Sequence, residues 1–316
     1  MNGVISLGEA LIDFIPLDSE NSTYQKSPGG APANVAVGIA KLGGKSTFLG
    51  KVGNDVLGVF LRDTLETHGV DVRQMPLAEE ARTGLVFVTL DRSGERSFSF
   101  YIQPSADTFL NEQDVKESIF QEHKILHIGS ISLIREPARS ATKKAVRLAK
   151  QAGMLVSYDP NLRLSLWEDA ATAKEGILSL LGEADVLKLS EEELEFLTGH
   201  KDLEAGLEAL EHYGIPLRFV TMGGEGCMVS FKGKTTHVPA WKVEAIDTTG
   251  AGDAFVSGIL YCLNQAERSL LALEHEDMVQ MVRFAAVSGA LAASTKGAMT
   301  ALPTLEQVHA ILQETV

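Results

Sequence analysis

Residues 245–255 read Ala-Ile-Asp-Thr-Thr-Gly-Ala-Gly-Asp-Ala-Phe, and the last Asp stands against an apolar run that predicts a helix over 253–265. A glycine turn running into a helix lets the backbone approach a ligand closely, and helix N-termini attract anions. If Gly250, Ala251 and Gly252 form that turn, their N–H groups converge on one point and make an anion hole without a lysine. A second carboxylate beside such a hole would compete with an anionic ligand unless it has work of its own. The work that fits is general-base chemistry: Asp253 takes the proton of an attacking hydroxyl while the amides stabilise charge on a transferring phosphoryl group. A simple N-cap would explain Asp253 but leave both glycines idle.

A second stretch, Ser-Pro-Gly-Gly-Ala-Pro-Ala-Asn-Val-Ala-Val-Gly at 27–38, sets Gly29 and Gly30 before a helix with Asn34 near its start. It reads equally well as a ligand-hugging turn and as a plain helix cap. Asp13 interrupts an apolar β-type run, so it is either an exposed edge residue or a buried acceptor for ligand hydroxyls. Other signals fail. Gly-Gly-Lys-Ser at 43–46 lacks the earlier glycine of a P-loop, since position 39 is Ile, and reads as a helix C-cap. No Gly-x-Gly-x-x-Gly follows the first strand, which removes the fingerprint of a dinucleotide-binding dehydrogenase. His123 and His127 are four apart but lack a metalloprotease context, and His127 reads as strand packing.

The elements that must hold these residues follow from periodicity. Short β-type runs at 3–8, 124–130, 154–159, 184–190 and 217–224 alternate with helical patterns, which implies a mostly parallel sheet covered by helices on both faces. The helix over 136–153 carries Ala141, Ala145, Leu148 and Ala149 on one face, with Pro137 near its start and Gly153 at its stop. The alternation breaks at about 10–30 and 83–107, two β-rich insertions that read as a small lid, the second with a hairpin turn at 91–95. The segment Asp-Val-Leu-Gly-Val-Phe onward predicts a helix with Val56, Phe60, Leu61, Thr64 and Leu65 on one side. Nothing suggests an interdomain linker, so the 316 residues read as one domain. A net charge of −14 argues against nucleic acid or an anionic membrane as partner. Cys227 and Cys262 lie far apart without a signal-like N-terminus, which points to a reducing cytoplasmic setting.

Two segments, Gly-Gly-Ala-Pro-Ala-Asn-Val-Ala-Val-Gly onward from Gly29 and Asp-Thr-Thr-Gly-Ala-Gly-Asp-Ala-Phe-Val-Ser-Gly-Ile-Leu from Asp247, resemble the two signatures of the ribokinase-like carbohydrate kinases. Similar segments run from Gly8 to Pro303. The resemblance implies a three-layer α/β/α sandwich with a β-sheet lid, an ATP- and Mg2+-dependent transfer to a primary sugar hydroxyl, and a homodimer through the lid. Asp253 then matches the catalytic base and Gly250 to Gly252 the γ-phosphate hole, while Asp13, Gly29, Gly30, Asn34, Tyr101 and Arg163 match the sugar side. For Arg163 a surface ion pair is the competing reading. Thr221, Gly223 and Gly226 match the nucleotide loop, and Glu193 the acid that orders water around magnesium. Ser190 replaces the usual Asn, with Lys188 placed to compensate. Asp247, Thr249, Ala292, Thr295, Gly297 and Ala301 match a K+ site, with Ala301 replacing a common Ser. Segments at 159–167 and 190–199 look most like those of bacterial fructokinases, with 2-keto-3-deoxygluconate kinases close behind. Ile102 stands where acid-sugar relatives tend to carry an Arg, which weakens that alternative. A catalytically silent sensor of sugar or nucleotide is the reading from another class; such a protein is expected to lose Asp253 or the glycines.

Overall fold

The computed structural model describes residues 1–91 and 96–313. Most of the hairpin turn expected at 91–95 lies outside the described residues. The strands are β1 (Val4–Leu7), β2 (Leu11–Pro16), β3 (Tyr24–Gly29), β4 (Ser46–Leu49), β5 (Val52–Gly53), β6 (Asp71–Gln74), β7 (Leu77–Ala78), β8 (Gly84–Leu90), β9 (Arg96–Phe100), β10 (Ile125–Ile128), β11 (Leu155–Tyr158), β12 (Val186–Ser190), β13 (Leu217–Thr221), β14 (Cys227–Phe231) and β15 (Lys234–Val238). The helices are α1 (Ala31–Lys41), α2 (Val56–Thr67), α3 (Ala138–Gln151), α4 (Ala170–Leu178), α5 (Glu191–Thr198), α6 (Leu203–Ala209), α7 (Ala251–Gln265), α8 (His275–Ala293) and α9 (Leu305–Gln313).

A nine-stranded sheet has the order β15-β14-β13-β12-β11-β10-β1-β4-β6, parallel from β13 to β6 and antiparallel at β14 and β15. From β1 the chain winds one way through β4 and β6, then the other way through β10 to β13. The reversal lies between β1 and β10, and ligands of open parallel sheets bind beyond the carboxyl ends of strands at such a point. Alternation along the strands divides the core. Ile5 and Leu126 face the layer containing α3, α4, α5 and α6, while Val4 and Ile125 face the layer of α1, α7 and α8. Each face buries its own apolar cluster, which gives the three-layer sandwich its two cores.

A four-stranded sheet, β3-β2-β8-β9, is formed by the two β-rich stretches. Leu11 and Asp13 of β2, Val86 of β8, and Phe98 and Phe100 of β9 line one cleft. The opposite face carries Phe14 stacked on Phe87 at 4.9 Å, with Tyr24 and Tyr101 packed around the Phe87 ring. Helix α2 differs in one particular from its sequence pattern: Val56 is 82% exposed. It occupies the first helical position, where Asp55 caps the amides of Leu57 and Gly58, and the buried stripe begins only at Gly58 and continues through Leu61 and Leu65. The two cysteines are free, and burial pushes each thiol up to about 12, which makes them unreactive packing groups. Among the described residues no helix is long and apolar enough to cross a membrane.

Candidate active site

The strand ends at the switch point supply the floor of a cleft of about 400 Å³. Glu9 follows β1 and Asp159 follows β11; neither was singled out from the sequence, and both are buried in the cleft wall. Helices α1 and α7 supply one wall of the cleft. They pack closely because Gly38 leaves room for the Ser257 side chain, and one turn earlier on each helix Asn34 meets Asp253. The Asn34 Nδ2 donates to Asp253 Oδ2 at 2.8 Å. The Asn34 Oδ1 is buried and accepts no hydrogen bond, so the residue holds the carboxylate with one end and offers an unused acceptor at the other. A buried acceptor left without a donor costs roughly 1–3 kcal/mol, which a ligand hydroxyl would recover.

The glycines divide into those the fold needs and one it does not. Gly30 has φ 101°, and a Cβ there would stand 2.5 Å from the Glu9 carbonyl. Gly250 is left-handed at φ 79° and caps α7. A Cβ on Gly29 would fall on the Asp13 carboxylate, so this glycine makes room for that side chain. At Gly252, by contrast, an added Cβ would meet only the Lys188 Nζ, at 3.8 Å. The fold leaves that side of the turn open beside a buried cation, which suits a phosphate.

Charge in the cleft is finely opposed. Lys188 pairs with Asp159 at 3.2 Å, and its acidic neighbours Asp159 and Glu193, outweighing burial, push its pKa upward. Burial raises Glu9 to about 8 and Asp13 to about 7, the latter opposed by Arg163 and aided by Asp253. Asp253 rises to about 6, again through burial first, with the Asn34 hydrogen bond acting against it. An acid with a raised folded pKa binds more protons folded than unfolded. Its stabilising contribution is therefore complete below about pH 4.5 and is lost as pH climbs through the folded value. We expect Glu9→Gln to gain thermal stability relative to the parent by a few degrees as pH goes from about 5 to about 8.5. Melting curves of both proteins, without ligand, check this; parallel pH profiles would show that Glu9 is charged in the folded cleft throughout.

Several residues stand elsewhere than the sequence suggested. Tyr101 is 67% exposed on the face of the small sheet away from the cleft, and Phe98 and Phe100 line the cleft instead. Strand parity decides this, since successive side chains of β9 alternate sides and Tyr101 follows its end. Ser190 spends its hydroxyl capping α5, accepting from the Glu193 amide at 3.2 Å. Glu193 is not open to solvent: its Oε2 accepts from the Ser190 amide at 2.8 Å and its Oε1 from the Leu162 amide at 2.7 Å. Thr221 lies beside Ser190 in the β12–β13 register and donates to the Leu189 carbonyl at 3.3 Å. It stands outside the cleft of Asp253, as do Gly223 and Gly226 in the next turn. Gly226 is required there by packing, because a Cβ would strike the Val238 backbone. Asp247 accepts from the amides of Thr249 and Gly297, at 2.9 and 3.0 Å, and so ties the 247–249 and 295–297 turns together. Ala292 and Thr295 are joined by a main-chain bond of 3.2 Å, and Ala301 is buried. His123 and His127 have separate partners, Thr47 and Ser157. Arg163 forms no ion pair among the described residues and lines the cleft, against the surface ion-pair reading.

A carboxylate and a glycine turn at the mouth of a helix, set over the reversal point of a parallel sheet under a small β-sheet, define a ribokinase-like phosphotransferase. The description pfkB family carbohydrate kinase matches residues 1–305, and the chain belongs to that family. It is 47% identical to a probable chloroplastic fructokinase-6 of Arabidopsis thaliana, over 99% of this chain and 83% of the relative. It is 45% identical to fructokinase-2 of Oryza sativa subsp. japonica, over 100% of this chain and 94% of that one. Among solved structures, a doubly mutated fructokinase of Vibrio cholerae O395 with fructose, ADP and potassium ion superposes with TM-score 0.91 at 43% identity, covering 99% and 98% of the two chains. A Xylella fastidiosa fructokinase with bound ATP gives 0.92 at 36% identity, over 99% and 98%.

Proposed function

We propose that this chain is an ATP-dependent fructokinase, transferring the γ-phosphoryl group of ATP to a primary hydroxyl of fructose. The observation that carries the reading is the Asn34–Asp253 pair: a buried carboxylate held by one end of an amide whose other end is buried without a donor, both residues lining the same cleft as Asp13. The similarity to enzymes named fructokinase supplies the sugar. In this reading Asp13, Asn34 and the Gly29–Gly30 turn hold the sugar, and Asp253 removes the proton of its reacting hydroxyl. The oxygen attacks phosphorus in line, the bond to ADP breaks, and the amides of Gly250 and Gly252 with Lys188 neutralise the charge that develops; the Ala251 amide, expected to join them, is spent on the Thr248 carbonyl at 3.2 Å. The small sheet acts as a lid that excludes competing water.

A neighbouring cleft lined by Asn161, Arg163, Lys188, Ser190, Glu192 and Glu193 shares three of these residues with the first. It is the place for the rest of the phosphate chain, with Thr221, Gly223 and Gly226 beyond it toward the base. Mg2+ bound with ATP would neutralise phosphate oxygens there; Glu193, whose oxygens are both engaged by amides, would reach it only through water. The carbonyl-rich turns joined by Asp247 have the hard oxygen donors an alkali cation takes, and we assign K+ to them.

Removing a charge-assisted contact costs about 1.5–3 kcal/mol, so Arg163→Ala is expected to lower kcat/KM by about 10- to 100-fold. Unchanged steady-state kinetics for every acceptor would return Arg163 to a surface role. The whole reading is tested by ADP release over fructose, 2-keto-3-deoxygluconate, ribose, tagatose and nucleosides, with and without potassium. Fructose should lead; release with no sugar, despite a folded protein, would favour the silent sensor.

A further inference from the structure

Glu193 is buried, yet its carboxylate faces no cation within ion-pair distance among the described residues. Its two oxygens instead bridge two main-chain segments distant in sequence: the first turn of α5, through the Ser190 amide, and the loop after β11, through the Leu162 amide. That loop is fixed at a second point, since Asp159 Oδ1 accepts from the Asn161 amide at 3.2 Å while its carboxylate also holds Lys188. Between the two anchors Asn161 is left-handed at φ 46°, a conformation that Asn adopts more readily than other non-glycine residues and that turns the chain here. Two residues on is Arg163, whose Nη1 lies 3.1 Å from the Leu162 carbonyl and 3.5 Å from that of Asn161. The guanidinium is therefore aimed by the loop that carries it. It stands where the cleft of Asp253 and the neighbouring cleft meet.

We propose that Glu193 is a positioning residue for Arg163, clamping the 159–163 loop to the start of α5 so that the guanidinium spans the two clefts. The inference rests on the kinase reading for its kinetic consequence but not for the clamp itself. A glutamine cannot accept from both amides, because its NH2 end would face an N–H donor whichever way it is turned. An aspartate keeps the charge but loses one methylene of reach toward Leu162.

The test is a double-mutant cycle, preceded by ADP formation from fructose with the parent enzyme. Glu193→Gln is expected to lower kcat/KM for fructose by about 10-fold, of the order of one lost charge-assisted bond. In the Arg163→Ala background the same change should alter it by no more than about twofold, since residues acting as a unit are not additive. Independently of activity, amide hydrogen exchange should speed up at Leu162 in the variant while the inner amides of α5 stay protected. If Glu193→Gln does not fold, Glu193→Asp replaces it throughout, with the same expectations. Additive losses or unchanged exchange at Leu162 would each overturn the proposal. A parent enzyme inert toward every sugar would sink the kinase reading instead, and the exchange experiment would still judge the clamp.

Discussion

Asp253→Asn is expected to leave the chain folded and to lower turnover with fructose by on the order of 10²- to 10⁴-fold, the range for loss of a positioned general base. The fold should survive for two reasons. An amide oxygen at 253 still accepts from the Asn34 Nδ2 that now bonds the carboxylate at 2.8 Å. Burial already disfavours the charged form of Asp253, raising it to about 6, so a neutral group of the same shape removes a cost. The catalytic loss follows because the amide cannot take a proton. The parent kcat/KM should fall as pH drops through about 6, where Asp253 gains its proton; this limb should vanish in the variant. Pre-steady-state and steady-state ADP formation, with a melting curve as control, decide the matter. Near-normal turnover would remove Asp253 from the chemistry, and with it the reading of the helix mouth as a phosphoryl-transfer site.

The second large effect is expected at Asp13. Its carboxylate lies in the cleft on β2, with Gly29 diagonal to it on β3 keeping the space clear. A site built to accept from hydroxyls loses heavily when the acceptor is removed, because the ligand's donors enter a dry cleft unpaired. Asp13→Ala should lower kcat/KM for fructose by about 10²-fold, while leaving the KM for ATP within about twofold, since the nucleotide side lies across Lys188 from it. The split between substrates is the informative readout. A loss that falls mainly on ATP would place Asp13 in the wrong half of the site.

Much of the chemistry was legible because it is local. A Gly-Ala-Gly-Asp turn opening an apolar helix encodes both the glycine-rich helix mouth and the carboxylate beside it within four consecutive positions, 250–253. The same holds for the Gly29–Gly30 turn and Asn34, which share a single turn-and-helix unit, and for the parallel sheet, which announces itself through alternating periods. Glu9 and Asp159 were not legible in that way. Each is an ordinary acid after an ordinary strand, 150 positions apart, and only the parallel order β11-β10-β1 sets both at one edge of the sheet.

By itself, then, the chain's order of residues determined the helix mouth with its aspartate, the Gly29–Gly30 turn and the layered architecture, since each depends on neighbours along the chain. Tertiary structure alone decided that Phe98 and Phe100 rather than Tyr101 face the cleft, that Ser190 is spent as a helix cap, and that Glu193 clamps the loop of Arg163. Strand parity, helix packing and the need to satisfy buried amides settle such matters between segments far apart in sequence, and no local pattern records their outcome.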